Sequence, residues 1–123
     1  MRDTKVTSAA LRSSLTDVVG NLERVRAAAQ QAAQDGSRML FAPELQLTGH
    51  GGHPIMTANA EPLPGGPLCE EVTKISAELD IAICVGIVEL GNDLQVYNSQ
   101  FVVDRGKYLG AQVGLQKHWT NEK

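Results

Sequence analysis

Apolar positions along the chain fall into two periods. Between residues 18 and 34 they recur as Val18, Leu22, Val25, Ala29 and Ala32, in steps of four and three. That spacing lines one face of a helix, and Arg24, Arg26, Gln30 and Gln34 fall mainly off the stripe. Asp35-Gly36 ends this helix, because glycine takes the left-handed conformation that a C-cap needs. Leu68, Val72, Ile75 and Leu79 step in the same way through a second helix. Pro67 opens it at the position where proline forfeits no hydrogen bond, and Glu70 and Glu71 set negative charge against the positive end of its dipole.

The other apolar stretches read as strands. Residues 5–13 predict a first strand, and the short run 39–42, directly after the helix cap, predicts a fully buried one. Strand, helix and buried strand form a βαβ unit, which implies a parallel pair. Beyond Asp80 the pattern predicts strands at 81–88, 94–103 and 108–115. The turns between them, Leu-Gly-Asn-Asp and Asp-Arg-Gly, carry hairpin chemistry. Residues 45–66 are rich in glycine and proline and predict a loop with one helical turn near 55–59. The fold class is therefore α/β, a parallel βαβ unit followed by antiparallel strands.

Composition sharpens this picture in three respects. A length of 123 residues allows one domain with its own core and is too short for two of ordinary size. Aromatic residues make up only 4%, so the core rests on Val, Leu, Ile and Ala. A net charge of −3 gives no electrostatic case for nucleic acid or an anionic membrane as partner. The start of the chain shows no continuous apolar segment of the signal-peptide kind, and the longest apolar run, 81–88, is too short to span a bilayer. The two cysteines, Cys69 and Cys84, stand outside any tight metal spacing, which suggests a reduced, cytoplasmic protein.

The stretch Met39-Leu-Phe-Ala-Pro-Glu-Leu-Gln-Leu-Thr-Gly-His50 carries the chemistry. A carboxylate, Glu44, follows at once on a buried strand and is itself followed by a glycine-rich loop. In α/β proteins that end of a strand faces the crevice where ligands bind. Four stretches together resemble the nitrilase, or carbon-nitrogen hydrolase, superfamily. They are Gly20-Asn-Leu-Glu-Arg24 at a helix start, the Pro-Glu strand with its Thr-Gly, Ile81 to Glu89 with Tyr97-Asn98-Ser99 and Asp104-Arg-Gly106, and Gly114-Leu-Gln-Lys-His-Trp-Thr-Asn-Glu122.

That resemblance implies a nitrilase-like αββα sandwich, of which this chain forms the N-terminal portion. It also implies a Glu, Lys and Cys mechanism acting on a small amide, carbamoyl amide or nitrile. No cofactor or metal is implied. Glu44 matches the family's glutamate and Lys117 its lysine, and Glu122 matches a second glutamate found in many members. Two positions depart from the pattern, His50 where an aromatic is usual and Gln116 where an arginine often stands. The family's nucleophile lies well beyond its lysine, and neither Cys69 nor Cys84 matches it. Residues 1–123 therefore read as a partial domain that ends before the expected nucleophile.

His50 and His53 sit in a short glycine loop with no third ligand placed, so they make a poor metal site. The same loop has no Lys-Ser/Thr ending and is not a P-loop. Cys84, on an apolar strand, is expected to be a small buried hydrophobe. Trp119 anchors the last strand or meets a partner. A sheet face and edge left uncovered predict a homo-oligomer, or pairing with the other half of the sandwich, through residues 81–115. The alternative to an enzyme is a non-catalytic half-sandwich that persists as a fragment or interaction module.

Overall fold

A computed structural model describes residues 4–51 and 53–113. Five strands form one sheet in sequence order: β1 (Val6–Ser8), β2 (Met39–Phe41), β3 (Ala82–Leu90), β4 (Val96–Asp104) and β5 (Lys107–Val113). The first three are parallel and the last three pair antiparallel. Helices α1 (Val18–Gln34) and α3 (Pro67–Leu79) cover one face, while the shorter α2 (His53–Asn59) lies in the connection between β2 and α3.

The helical periodicity was legible to the residue. Val25, Ala29 and Ala32 of α1 are buried, with Val18 and Leu22 packed beside them. Leu68, Val72 and Ile75 of α3 meet them over Leu40, Ile83, Val85, Ile87, Phe101 and Val103 of the sheet. Asp17 accepts from the Gly20 amide at 2.9 Å and caps α1. Gly36, with φ +83°, takes the left-handed position after α1. In the Asp104 to Lys107 hairpin both Arg105 (φ +49°) and Gly106 (φ +92°) are left-handed, the twist that matches two-residue hairpins.

The strands differ from expectation at their ends. The first strand is only Val6–Ser8 rather than 5–13. Residues beyond it turn away, and their polar groups reach other partners: the Arg12 carbonyl accepts from Arg24 and Gln46, and the Ser13 hydroxyl donates to the Gln46 carbonyl. The run 39–42 is not fully buried. Leu40 and Ala42 are, but Phe41 is 40% exposed, because helices cover one face of the sheet and Phe41 points from the other. Leu94 belongs to the turn before β4, at φ +65° and 79% exposed. Leu115 lies outside the described residues.

Residues 45–66 are loop-rich as expected, with α2 (His53–Asn59) at the expected helical turn, but the first part of the loop is not a surface one. Leu45, Gln46, Leu47, Thr48 and Gly49 are all buried. β2 ends at Phe41, yet β3 continues for six residues beyond their last pair, Phe41 with Cys84. Its backbone groups on that side must still be matched. The turn does so in place of a strand. Ala42 N–H donates to Cys84 O (2.8 Å), Gly86 N–H to Pro43 O (3.2 Å) and Leu47 N–H to Gly86 O (3.1 Å). The Thr48 hydroxyl then accepts from the Val88 N–H at 3.0 Å. Glu61 takes the last place, its N–H donating to Val88 O and its carbonyl accepting from Leu90 N–H. Its side chain turns the other way and accepts from the Leu68 amide at 2.8 Å, capping α3. Burial pushes the Glu61 carboxyl up from its ordinary value, and the amides of Leu68 and Cys69 pull it partly back.

Thr48→Val keeps the side-chain shape and removes the acceptor for a buried N–H. We expect it to cost about 1–3 kcal/mol in urea unfolding, with Thr48→Ser close to the parent. Equal stability of Thr48→Val would show that the Val88 amide is matched in another way.

Candidate active site

The two faces of the sheet are chemically unlike. The helix-covered face is mostly hydrocarbon, with Ser99 donating to Glu89 at one end. The opposite face has three zones along β3 and β4. At one end Val88 and Val96 are sealed by Leu45 and Met56 into a second small core. In the middle stand Gly86, Asn98 and Gln100. Beyond them lie Cys84, Val102 and Leu109, an apolar belt open to solvent.

Glu44 sits at the middle zone. Its position is set by the turn that stands in for β2. A Cβ on Gly86 would lie 2.2 Å from the Leu45 nitrogen and 2.8 Å from the Glu44 carbonyl carbon, so the main chain of the turn rests directly on the bare Cα of β3. Leu45 is held at φ +54°, a conformation that costs a non-glycine residue of order 1 kcal/mol or more. It persists because the Leu45 side chain is fully buried against Met56, Val88 and Val96. The remaining anchors come from the other side. Asn21 of α1 donates to Leu47 O (3.2 Å) and Ser14 O (2.7 Å) and accepts from the Ser14 amide (2.7 Å).

From this rigid perch the Glu44 side chain, 59% exposed, points over β3 towards β4. Asn98 Nδ2 donates to its Oε2 at 2.8 Å, and His50 Nε2 lies 3.8 Å from the same oxygen. Glu44, Asn98, Gln100, Gln112 and Val113 line an open cavity of about 270 Å³. Gln100 and Gln112 are directly paired across β4 and β5, and both also border the adjoining apolar hollow that contains Cys84. Gln100 and Gln112 were not singled out from the sequence, and Asn98 entered only as part of the Tyr-Asn-Ser stretch, not as a site residue. The signal was there: polar residues at 98 and 100 alternate with the buried Ser99 and Phe101, which marks a polar patch on a sheet face. Lys117 and Glu122, the other expected site residues, lie outside the described residues, as do His118 and Trp119.

The profile of one family, described as carbon-nitrogen hydrolase, matches residues 5–121. The chain belongs to the carbon-nitrogen hydrolase family. It is 28% identical over 110 residues to the glutamine-dependent NAD(+) synthetase of Thermotoga maritima, a match covering 89% of this chain and 19% of the synthetase. Among solved structures, an N-terminal amidase bound to a Gln-Val peptide superposes with a TM-score of 0.81 at 20% identity, over 98% of this chain and 31% of the amidase. An amidase from Nesterenkonia sp. gives 0.74 at 18% identity, over 92% of this chain and 43% of its own length. The chain thus spans less than half of each of these relatives, and the likeness to the two amidases bears on fold.

Carbon-nitrogen hydrolase membership makes the two cysteines worth placing. Cys69 is buried on α3, on the helix side of the sheet, away from the face that holds Glu44. Burial is the main cause that pushes its thiol up, with Glu61 and Glu70 adding to it, which keeps it protonated and a poor nucleophile. Cys84 differs from expectation. It is only partly buried, because it lies on the open face, and Gln100 Nε2 lies 3.6 Å from its sulfur.

Gly86→Ala tests the close approach. In a strand interior alanine would ordinarily gain about 0.5–1 kcal/mol over glycine. Here a new Cβ would meet the backbone at Glu44 and Leu45 as well as the Gln100 side-chain oxygen, so overpacking of about 1–3 kcal/mol outweighs that gain. Thermal and urea unfolding should show net destabilisation; a stabilised variant would mean the turn is free to lift off β3.

Proposed function

We propose that this chain supplies the acid–base half of an amide-directed carbon-nitrogen hydrolase. Glu44 is the general base, Lys117 holds the oxyanion, and Glu122 assists from the same segment. The observation that carries the reading is the setting of Glu44: an accessible carboxylate on a strain-held turn, above a cavity lined by three carboxamide side chains. Gln100 and Gln112 can each donate and accept, which suits a small amide or carbamoyl amide better than a nitrile, whose nitrogen only accepts. No cofactor or metal enters the chemistry.

The reaction follows from those roles. A thiol attacks the substrate carbonyl while Glu44 takes its proton, and the alkoxide that forms is held by the lysine cation. Glu44 then protonates the leaving nitrogen, which departs as ammonia or amine and leaves a thioester. Water, deprotonated by Glu44, attacks the thioester, and the protonated Glu44 gives that proton to the departing sulfur. The products are the acid and the free thiol. Cys69 is on the wrong face for this role and Cys84 belongs to the apolar hollow beside the site. We therefore assign the nucleophile to residues outside this chain, with 1–123 as part of a larger domain.

The test is release of ammonia from small amides by the protein that carries both this chain and the thiol. Glu44→Gln should lower kcat by about 10²–10⁴-fold. The 123-residue chain alone should show no turnover. Activity of the chain alone that disappears with Cys84→Ala would move the nucleophile to β3 and refute the assignment.

We also propose that the open face packs against a second sheet, from the other half of the sandwich or from another copy. Val6, Phe41 and Leu109 are 51%, 40% and 57% exposed, and they project from an otherwise well-packed sheet. Apolar surface of this kind is rarely left in water. The expected outcome in sedimentation at micromolar concentration is a dimer or larger species. A monomer that melts cooperatively would show that this face is stable in water by itself.

A further inference from the structure

We propose that Asn98 is the positioning residue of Glu44: its side-chain amide clamps one carboxylate oxygen and so fixes the other over the cavity. The proposal rests on the reading of Glu44 as the general base and adds to it how an exposed, three-torsion side chain is held still.

The geometry begins with a distance problem. Glu44 follows β2, whereas Asn98 is on β4, and β3 lies between them. Neighbouring strands are about 4.7–4.9 Å apart, so a side chain leaving the β2 position must cross roughly 10 Å of sheet to reach β4. It does so because β3 carries glycine at the crossing point. Gly86 leaves the space in which the Glu44–Leu45 main chain lies on top of β3 rather than beside it. The side chain then starts part-way across, and Asn98 Nδ2 meets Oε2 at 2.8 Å.

Asn98 is well suited to the task. It has two side-chain torsions, against three for Glu44, and it projects from the interior of a nine-residue strand whose register is fixed on both sides, Asn98 to Val88 and Ser99 to Val113. Holding the carboxylate by one hydrogen bond removes rotamers at little further entropic cost. His50 also approaches Oε2, at 3.8 Å. Both contacts therefore engage the same oxygen. Oε1 carries no hydrogen bond or ion pair among the described residues, and it is the atom left to exchange a proton with sulfur, leaving group and water.

A hydrogen bond to the ionised carboxylate has a spectroscopic signature that a merely structural asparagine would not have. In the 123-residue chain, the two Asn98 side-chain N–H resonances should move on Glu44→Ala and on Glu44→Gln. In the protein that carries the thiol, Asn98→Asp keeps the shape and loses the donor. It should lower kcat by about 10²-fold while KM holds within a small factor, with Asn98→Ala behaving alike. Asn98→Asp with full kcat, beside an inactive Glu44→Gln, would overturn the proposal and leave the general-base reading standing. Asn98 resonances indifferent to Glu44→Ala would overturn it too. Full activity of Glu44→Gln would instead remove the general-base reading, and the clamp would lose its catalytic role with it.

Discussion

The bare Cα of Gly86 is the constraint on which the site depends. A strand in a parallel sheet needs its backbone matched on both sides, and β2 stops six residues short of the end of β3. The turn Pro43 to Thr48 fills that gap only because it can approach β3 to a distance that any side chain at 86 would forbid. One contact thus performs two tasks. It satisfies the β3 ladder, and it lifts Glu44 out of the plane of the sheet onto the face where the cavity lies.

Rigidity at this turn comes from independent sources. Leu45 is locked by burial in the small core with Met56, Val88 and Val96. Thr48 is tied to Val88, and Asn21 reaches from the first helix to the Leu47 carbonyl. Hydrocarbon, a hydroxyl and a carboxamide each hold a different point of six residues. A left-handed leucine is tolerated in that setting, and the strained backbone stands next to Glu44. The carbon-nitrogen hydrolase family to which the chain belongs thereby acquires, in this member, a physical account of its Pro-Glu and Thr-Gly signature. Proline's carbonyl and threonine's hydroxyl are both acceptors for β3, and the glutamate is the residue carried between them.

The open face gives the rest of the structure its polarity. Helices seal one side with aliphatic side chains, and the other side is divided into sealed, polar and apolar zones within the span of β3. A small-molecule site needs such a boundary. The polar zone gathers Glu44 with Asn98, Gln100 and Gln112, and the apolar belt lies directly beside it.

Sequence alone determined the elements set by local rules. The α1 stripe, the caps at Asp35-Gly36 and Pro67, and the Asp-Arg-Gly hairpin each follow from periodicity or from φ preferences of a few adjacent residues, and each was legible. Glu44 was legible as a candidate because a charge directly after an apolar run is conspicuous and because its neighbours resemble a known motif. The turn at 43–48 was not, since its order comes from β3, some forty residues away, and glycine and proline density reads as loop whether or not a strand lies underneath. The exposure of Phe41 and Cys84 was hidden for a related reason: an apolar strand looks the same in sequence when one of its faces awaits a covering layer. Asn98, Gln100 and Gln112 became site residues only through the register of β3, β4 and β5. Period-2 alternation says that two residues share a face; only pairing across the sheet says what that face looks at, and here tertiary structure made it Glu44.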